Sequence, residues 1–241
     1  MNSPLAALLF DMDGTLIDSM PLHDRSWAVW HAELGLPFDD AGFFAATAGR
    51  TNLEILRDLF PARDEAELER LAERKEAIYR EIAVRELELI AGTRAVLAQA
   101  RERGLKLAIC TAAPPANIAL ACERFGLGEQ VDTITSPADG LRGKPHPDIF
   151  LEAARRLGVE PARCLVFEDA PLGIEAARRG GMAAVALTTT LPADAFAGFP
   201  NVVATIADFS DYSLPHSLPN SLPHSLPHSL PNSLDPETSH A

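Results

Sequence analysis

Asp11 and Asp13 stand in the stretch Phe10-Asp11-Met12-Asp13-Gly14-Thr15, directly after the apolar run 5–9. A run of that length with those flanks reads as a buried strand, which puts both carboxylates at its C-terminal tip. Side chains two residues apart share a face while the chain stays extended, and Gly14 lets it turn sharply just beyond. Such a pair can hold a divalent cation, and the cation lets a carboxylate approach a phosphate that would otherwise repel it. The same residues also make an ordinary solvated acidic turn, Asp-Gly being a frequent turn signal. Taken alone, the two readings weigh about equally.

Three further signals bear on that choice. The run 107–110 ends at Thr111, followed by Ala112-Ala113-Pro114. A hydroxyl and free backbone N–H groups at a strand tip before a helix make a phosphate cradle, and equally a plain helix N-cap. Lys144 lies in Gly143-Lys144-Pro145-His146-Pro147-Asp148, a stiff loop ahead of a helix. A fixed ammonium beside carboxylates can neutralise phosphate charge and keep a nucleophilic carboxylate ionised. Glu168 and Asp169 end the apolar run 164–167. Adjacent carboxylates there repel each other and bury poorly unless a cation lies between them. Oxygen ligands without a His or Cys cluster point to Mg²⁺ rather than zinc.

The elements that must position these residues alternate. Strand-like runs fall at 5–10, 106–110, 164–167 and 183–187, with weaker ones at 131–135 and 202–204. Helical patterns occupy 93–102, 117–125, 147–157 and 172–179. This order predicts an α/β fold, with a mostly parallel sheet covered on both faces. Residues 17–86 form an almost wholly helical insertion directly after the acidic strand tip, a placement that suits a lid. Its charge-dense part, 63–85, reads as a solvated helix face. From Ser213 to Asn232 the unit Ser-Leu-Pro-His/Asn recurs five times. Proline at every fourth position excludes helix and ladder pairing, so residues 213–241 are expected to be a disordered low-complexity tail outside the fold. His216, His224 and His228 could bind a transition metal weakly, but a plain extension is the preferred reading.

Composition narrows the partners. The 241 residues carry a net charge of −13, which argues against nucleic acid or an anionic membrane surface as the main partner. A phosphorylated small molecule is still compatible, since it needs only a local cation cluster. The three cysteines, Cys110, Cys122 and Cys164, lie far apart, so neither a disulfide framework nor a zinc site is expected, and a reducing cytoplasm fits. The apolar run near the N-terminus is too short for a signal peptide or a membrane span. A monomer or weak oligomer is expected.

D-M-D-G-T, a threonine after the second strand, G-K-P-x-P-D-x-F and F-E-D-A-x-x-G-I-x-A-A follow one another in the order and spacing of the haloacid dehalogenase-like superfamily. Across residues 5–187 the chain resembles in particular its β-phosphoglucomutase-like branch, which holds many sugar-phosphate phosphatases. The resemblance implies a doubly wound, Rossmann-like core over residues 1–16 and 87–212, with an inserted helical cap over 17–86. It implies that Asp11 is the nucleophile and forms an aspartyl-phosphate, and that Asp13 serves as acid and base. It implies Mg²⁺ held by Asp11, Glu168, Asp169 and the backbone carbonyl of Asp13. Thr111 and Lys144 would hold the phosphoryl oxygens, with backbone N–H groups near Met12, Asp13 and Ala112.

In the cap, His23, Trp27 and Lys75 sit where the mutase has substrate-facing residues, although Trp27 and Trp30 at helical spacing also read as packing, and Lys75 as part of the charge run. Asn52 falls nearest the arginine with which the mutase grips a second phosphate, and Arg50 is its neighbouring substitute. The loop from Thr111 to Asn117 is longer than the mutase pattern and looks like that of phosphatases. The expected function is therefore a Mg²⁺-dependent phosphatase of a small phosphorylated metabolite, a sugar phosphate by preference. The alternatives are a β-phosphoglucomutase-type isomerase and a non-catalytic binding protein on the same fold.

Overall fold

The run preceding Asp11 forms strand β2 (Ala7–Phe10), and all four of its side chains are buried. A computed structural model describes residues 3–39, 42–43, 47 and 51–218 of the chain. Beside β2 lie β3 (Lys106–Cys110) and β5 (Cys164–Glu168), both parallel to it. With β4 (Thr133–Thr135), β6 (Ala183–Leu187) and β7 (Val202–Ile206) they make a six-stranded sheet of order β4-β3-β2-β5-β6-β7, parallel throughout. The weak run expected at 202–204 is thus a full edge strand.

Both faces of the sheet are covered, which is why the inner strands β2, β5 and β6 are buried at every position rather than at alternate ones. Leu8, Phe10, Leu107, Ile109, Leu165 and Phe167 point to one face, where α4 (Thr93–Glu102) and α5 (Pro115–Phe125) pack. Ala7, Leu9, Ala108, Cys110 and Val166 point to the other, against α7 (Asp148–Leu157) and α8 (Pro171–Arg179). The short α6 (Leu127–Gln130) links α5 to β4. From β2 the sheet grows one way through β3 and β4 and the other way through β5 to β7. In an open parallel sheet that reversal opens a crevice outside the strand ends, here above Asp11.

The insertion between β2 and α4 contains α1 (Met20–Glu33), α2 (Asn52–Leu59) and α3 (Glu65–Glu86). Thr51 and Glu54 form a reciprocal capping box that starts α2, and Asp64 caps α3 by accepting from the Glu67 N–H at 2.8 Å. These helices bury their own apolar cluster, Trp27, Trp30, Ile55, Leu56, Leu68 and Ile78. The tryptophans therefore pack, and Trp30 Nε1 also donates to the Leu71 carbonyl at 3.1 Å. The charged run of α3 departs from a purely solvated face, because Lys75 and Glu76 are buried within it. At the C-terminal end of α3, Arg124 of α5 donates to the carbonyls of Val84 (2.6 Å) and Leu87 (2.7 Å), satisfying groups that a helix end leaves open.

The tail boundary needs correction. Residues 213–218, expected outside the fold, pack on it: Leu214 and Leu218 are buried, and β8 (Ser217–Leu218) pairs antiparallel with β1 (Ser3–Pro4). Arg103 donates to the carbonyls of Leu214 and Pro215, both at 2.8 Å. The prolines remove donors but leave carbonyls, and a leucine every fourth residue supplies apolar anchors. The remainder of the repeat lies outside the described residues. No described helix is long and apolar enough to cross a membrane.

Candidate active site

The chain turns immediately after β2. The Asp11 N–H donates to the Phe167 carbonyl at 3.0 Å, extending the ladder by one bond. The Met12 carbonyl then accepts from the N–H groups of Leu16 (2.9 Å) and Ile17 (3.1 Å), so one helical turn follows the strand. Gly14 makes this turn possible with φ +73°, and a Cβ there would run into the Asp169 carboxylate.

Asp11, Glu168 and Asp169, all buried, meet the half-buried Lys144 in this crevice. Lys144 reaches over from the loop before α7, donates to Asp11 Oδ1, and lies 2.5 Å from Glu168 Oε1. That glutamate oxygen is buried with the ammonium as its partner, while Oε2 accepts from the Ala170 N–H at 3.1 Å. Gly173, in the first turn of α8, leaves the space this carboxylate fills. Asp169 accepts from the hydroxyls of Thr15 (3.0 Å) and Thr190 (2.5 Å).

Three buried carboxylates therefore share one ammonium. Burial pushes the Asp11 carboxyl well above the usual carboxylate range; Lys144 opposes this, and the neighbouring acids reinforce it. Burial and then Glu168 raise Asp169 to about 7, against its two hydroxyl donors. Lys144 is held charged, because Asp11 and Glu168 outweigh its own desolvation. The crevice's potential ligands are oxygens, and three carboxylates against one ammonium leave a local excess of negative charge that suits a hard divalent cation. The carboxylates are arranged around Lys144 rather than closed on one point, so the described residues form no ready-made metal cage.

Thr111 follows β3 at the same edge. Its Oγ1 accepts from the Ala113 N–H at 3.0 Å, and the hydroxyl can still donate; Ala112 is exposed in that turn. Asp13 faces the inserted helices. The Ser19 hydroxyl donates to its Oδ1 at 2.7 Å, and His23 Nε2 lies 3.7 Å from the same oxygen. His23 stacks on Tyr79, with ring centroids 3.9 Å apart, and its Nδ1 is 2.6 Å from Lys75 Nζ. Lys75 in turn donates to Glu76 Oε1 at 2.9 Å. Asn52 also donates to Glu76 Oε1, at 2.6 Å, and Arg50 lies outside the described residues.

The core candidates thus share one edge of the sheet, and His23, Lys75 and Asn52 join a polar string that ends at Asp13. Thr190, Ser19 and Glu76 are participants that the sequence did not point to. Thr190 carries a signal in hindsight, a triplet of threonines straight after an apolar strand. Ser19 follows the motif as an ordinary helix start, and Glu76 is concealed in the charge run.

The family model described as haloacid dehalogenase-like hydrolase matches residues 5–181. Validoxylamine A 7'-phosphate phosphatase of Streptomyces hygroscopicus subsp. limoneus is 31% identical over 208 residues, covering 86% of this chain and 96% of that protein. Fructose-1-phosphate phosphatase of Escherichia coli is 32% identical over 187 residues, covering 77% and 97%. The crystal structure of a family IA, variant 3 hydrolase from Entamoeba histolytica superposes with a TM-score of 0.81 at 26% identity, covering 87% of this chain and 96% of its own. The chain belongs to the haloacid dehalogenase-like hydrolases, on the sugar-phosphatase branch of that superfamily, and is a phosphoric monoester hydrolase.

Proposed function

We propose that the protein is a Mg²⁺-dependent phosphatase that hydrolyses a sugar phosphate or a similar small phosphorylated metabolite through an aspartyl-phosphate on Asp11. The observation that carries this reading is the pairing of Asp11 with Lys144 at the sheet edge that Thr111, Glu168 and Asp169 also occupy. The names of the relatives, a fructose-1-phosphate phosphatase among them, support the substrate class.

A carboxylate oxygen of Asp11 attacks phosphorus in line, and the bond to the leaving alkoxide breaks. Asp13, oriented by Ser19, gives its proton to that alkoxide. Water then attacks the aspartyl-phosphate, Asp13 takes the proton back, and inorganic phosphate leaves. Lys144 and the Thr111 hydroxyl offset charge on the phosphoryl oxygens, with N–H groups near Met12, Asp13 and Ala112. Asp11, Glu168, Asp169 and the Asp13 carbonyl would hold Mg²⁺, which when bound neutralises charge between nucleophile and phosphoryl group. The inserted helices act as a cap that closes over the sheet edge and excludes bulk water.

Water as acceptor is favoured over a second sugar hydroxyl, because the Asn52 amide is already engaged by Glu76. Incubation with a panel of phosphorylated sugars, β-glucose 1-phosphate included, tests the reading. Mg²⁺-dependent release of phosphate, lost in Asp11→Asn, is expected. Conversion to glucose 6-phosphate without free phosphate would replace the hydrolase by a mutase.

A further inference from the structure

Glu76 is buried and charged, and the mechanism gives it no task. Its two oxygens are surrounded by donors from three elements. Lys75 Nζ (2.9 Å) and Asn52 Nδ2 (2.6 Å) reach Oε1, and Asn117 Nδ2 (2.6 Å) reaches Oε2. These residues belong to α3, to the first turn of α2 and to the first turn of α5. Lys75 and Asn117 are each 2% exposed, so the donors are desolvated and fixed. Arg80 Nη1 donates to Asn117 Oδ1 at 3.1 Å and thereby aims the amide nitrogen at the glutamate.

One ammonium and two amides converging on a carboxylate make an anion site, and this one is filled by the chain itself. It also adjoins the reaction. Asn117 opens the helix that follows the Thr111 turn, and Lys75 is linked through His23 to Asp13. Burial alone would raise the Glu76 carboxyl, but Lys75, His23 and the hydrogen bonds hold it down at about 2. The charge is therefore present at any working pH. A substrate bringing a second anion to this end of the crevice would meet a fixed negative charge and find its donors taken.

We propose that Glu76 determines specificity: its carboxylate occupies the anion subsite made by Lys75, Asn52 and Asn117, and so restricts the enzyme to substrates whose remainder is uncharged, polyol or sugar monophosphates rather than bisphosphates. The inference rests on the phosphatase reading for its choice of ligands, but it is tested by binding alone. Calorimetry on the Asp11→Asn protein with Mg²⁺ compares a hexose monophosphate with the corresponding bisphosphate. The monophosphate is expected to bind about tenfold or more tightly. Glu76→Ala, which vacates the subsite, should shift that ratio towards the bisphosphate by about tenfold or more, and Glu76→Gln should shift it less. A variant that merely loosened the cap would weaken both ligands alike and leave the ratio unchanged, which overturns the proposal. Should neither variant fold, equal affinities in the Asp11→Asn protein would overturn it just as well. Failure of the phosphatase reading is seen separately, as absent phosphate release by the wild type.

Discussion

Asp11 combines two demands on one side chain. In the proposed mechanism it must stay buried to exclude water yet ionise to attack phosphorus; burial raises its carboxyl, and the Lys144 ammonium opposes that shift without cancelling it. Asp11→Asn keeps the shape and removes the nucleophile, so phosphate release should fall by about a thousandfold or more in a steady-state assay. Glu76 gives a pH signature in stability. Its folded carboxyl is held near 2 against an ordinary 4.5, because Lys75, His23 and the hydrogen bonds outweigh burial. A group depressed by folding stabilises above its unfolded value, and the contribution is lost as pH falls through the folded one. Urea melts should therefore show wild type ahead of Glu76→Gln by roughly 2 kcal/mol at pH 7, with the gap closing between pH 4.5 and 2. At this scale the placement of Asp11, Glu168 and Asp169 at strand ends was legible, since an apolar run and the acids that end it are local in sequence. Glu76 and Thr190 were not, because a buried glutamate and a half-buried threonine look in sequence like solvated ones.

Helix α8 shows how an element serves the site through what it omits. Gly173 sits in its first turn, where a Cβ would run into the Glu168 carboxylate. Gly173→Ala gains roughly 1 kcal/mol of helix propensity but forces that carboxylate aside. The expected result is a melting temperature within a few degrees of wild type, together with an apparent Mg²⁺ requirement raised about tenfold in an activity titration. An unchanged Mg²⁺ requirement would remove Glu168 from the ligand set. Helices α3 and α5 run side by side, joined near Asn117 and again where Arg124 holds the end of α3. The period and order of these elements were readable from apolar spacing. The contact between α3 and α5 was not, because no local rule links residues 76 and 117.

At the scale of the whole molecule, the reversal of strand order at β2 gathers Asp11, Thr111, Lys144 and Glu168 from separate stretches of chain into one crevice. The C-terminal segment closes the opposite account: its first repeat unit and a half are part of the fold. Deleting residues 219–241 should leave melting temperature and turnover as they are. Deleting 213–241 removes Leu214 and Leu218 from the core and should lower the melting temperature by about 5 °C or more, since each buried leucine contributes roughly 2 kcal/mol. Equal melting temperatures for the two truncations would mean that the segment does not stabilise the fold. The sequence by itself determined the α/β class, the helical insertion and the acidic strand tips, because apolar periodicity and carboxylate spacing are local properties. Only the tertiary structure decided which charges are buried and which donors meet them. It turned part of a solvated-looking helix face into a filled anion site and drew the start of a proline-rich tail onto the core. Both outcomes depend on partners distant in the chain, whose approach no spacing rule encodes.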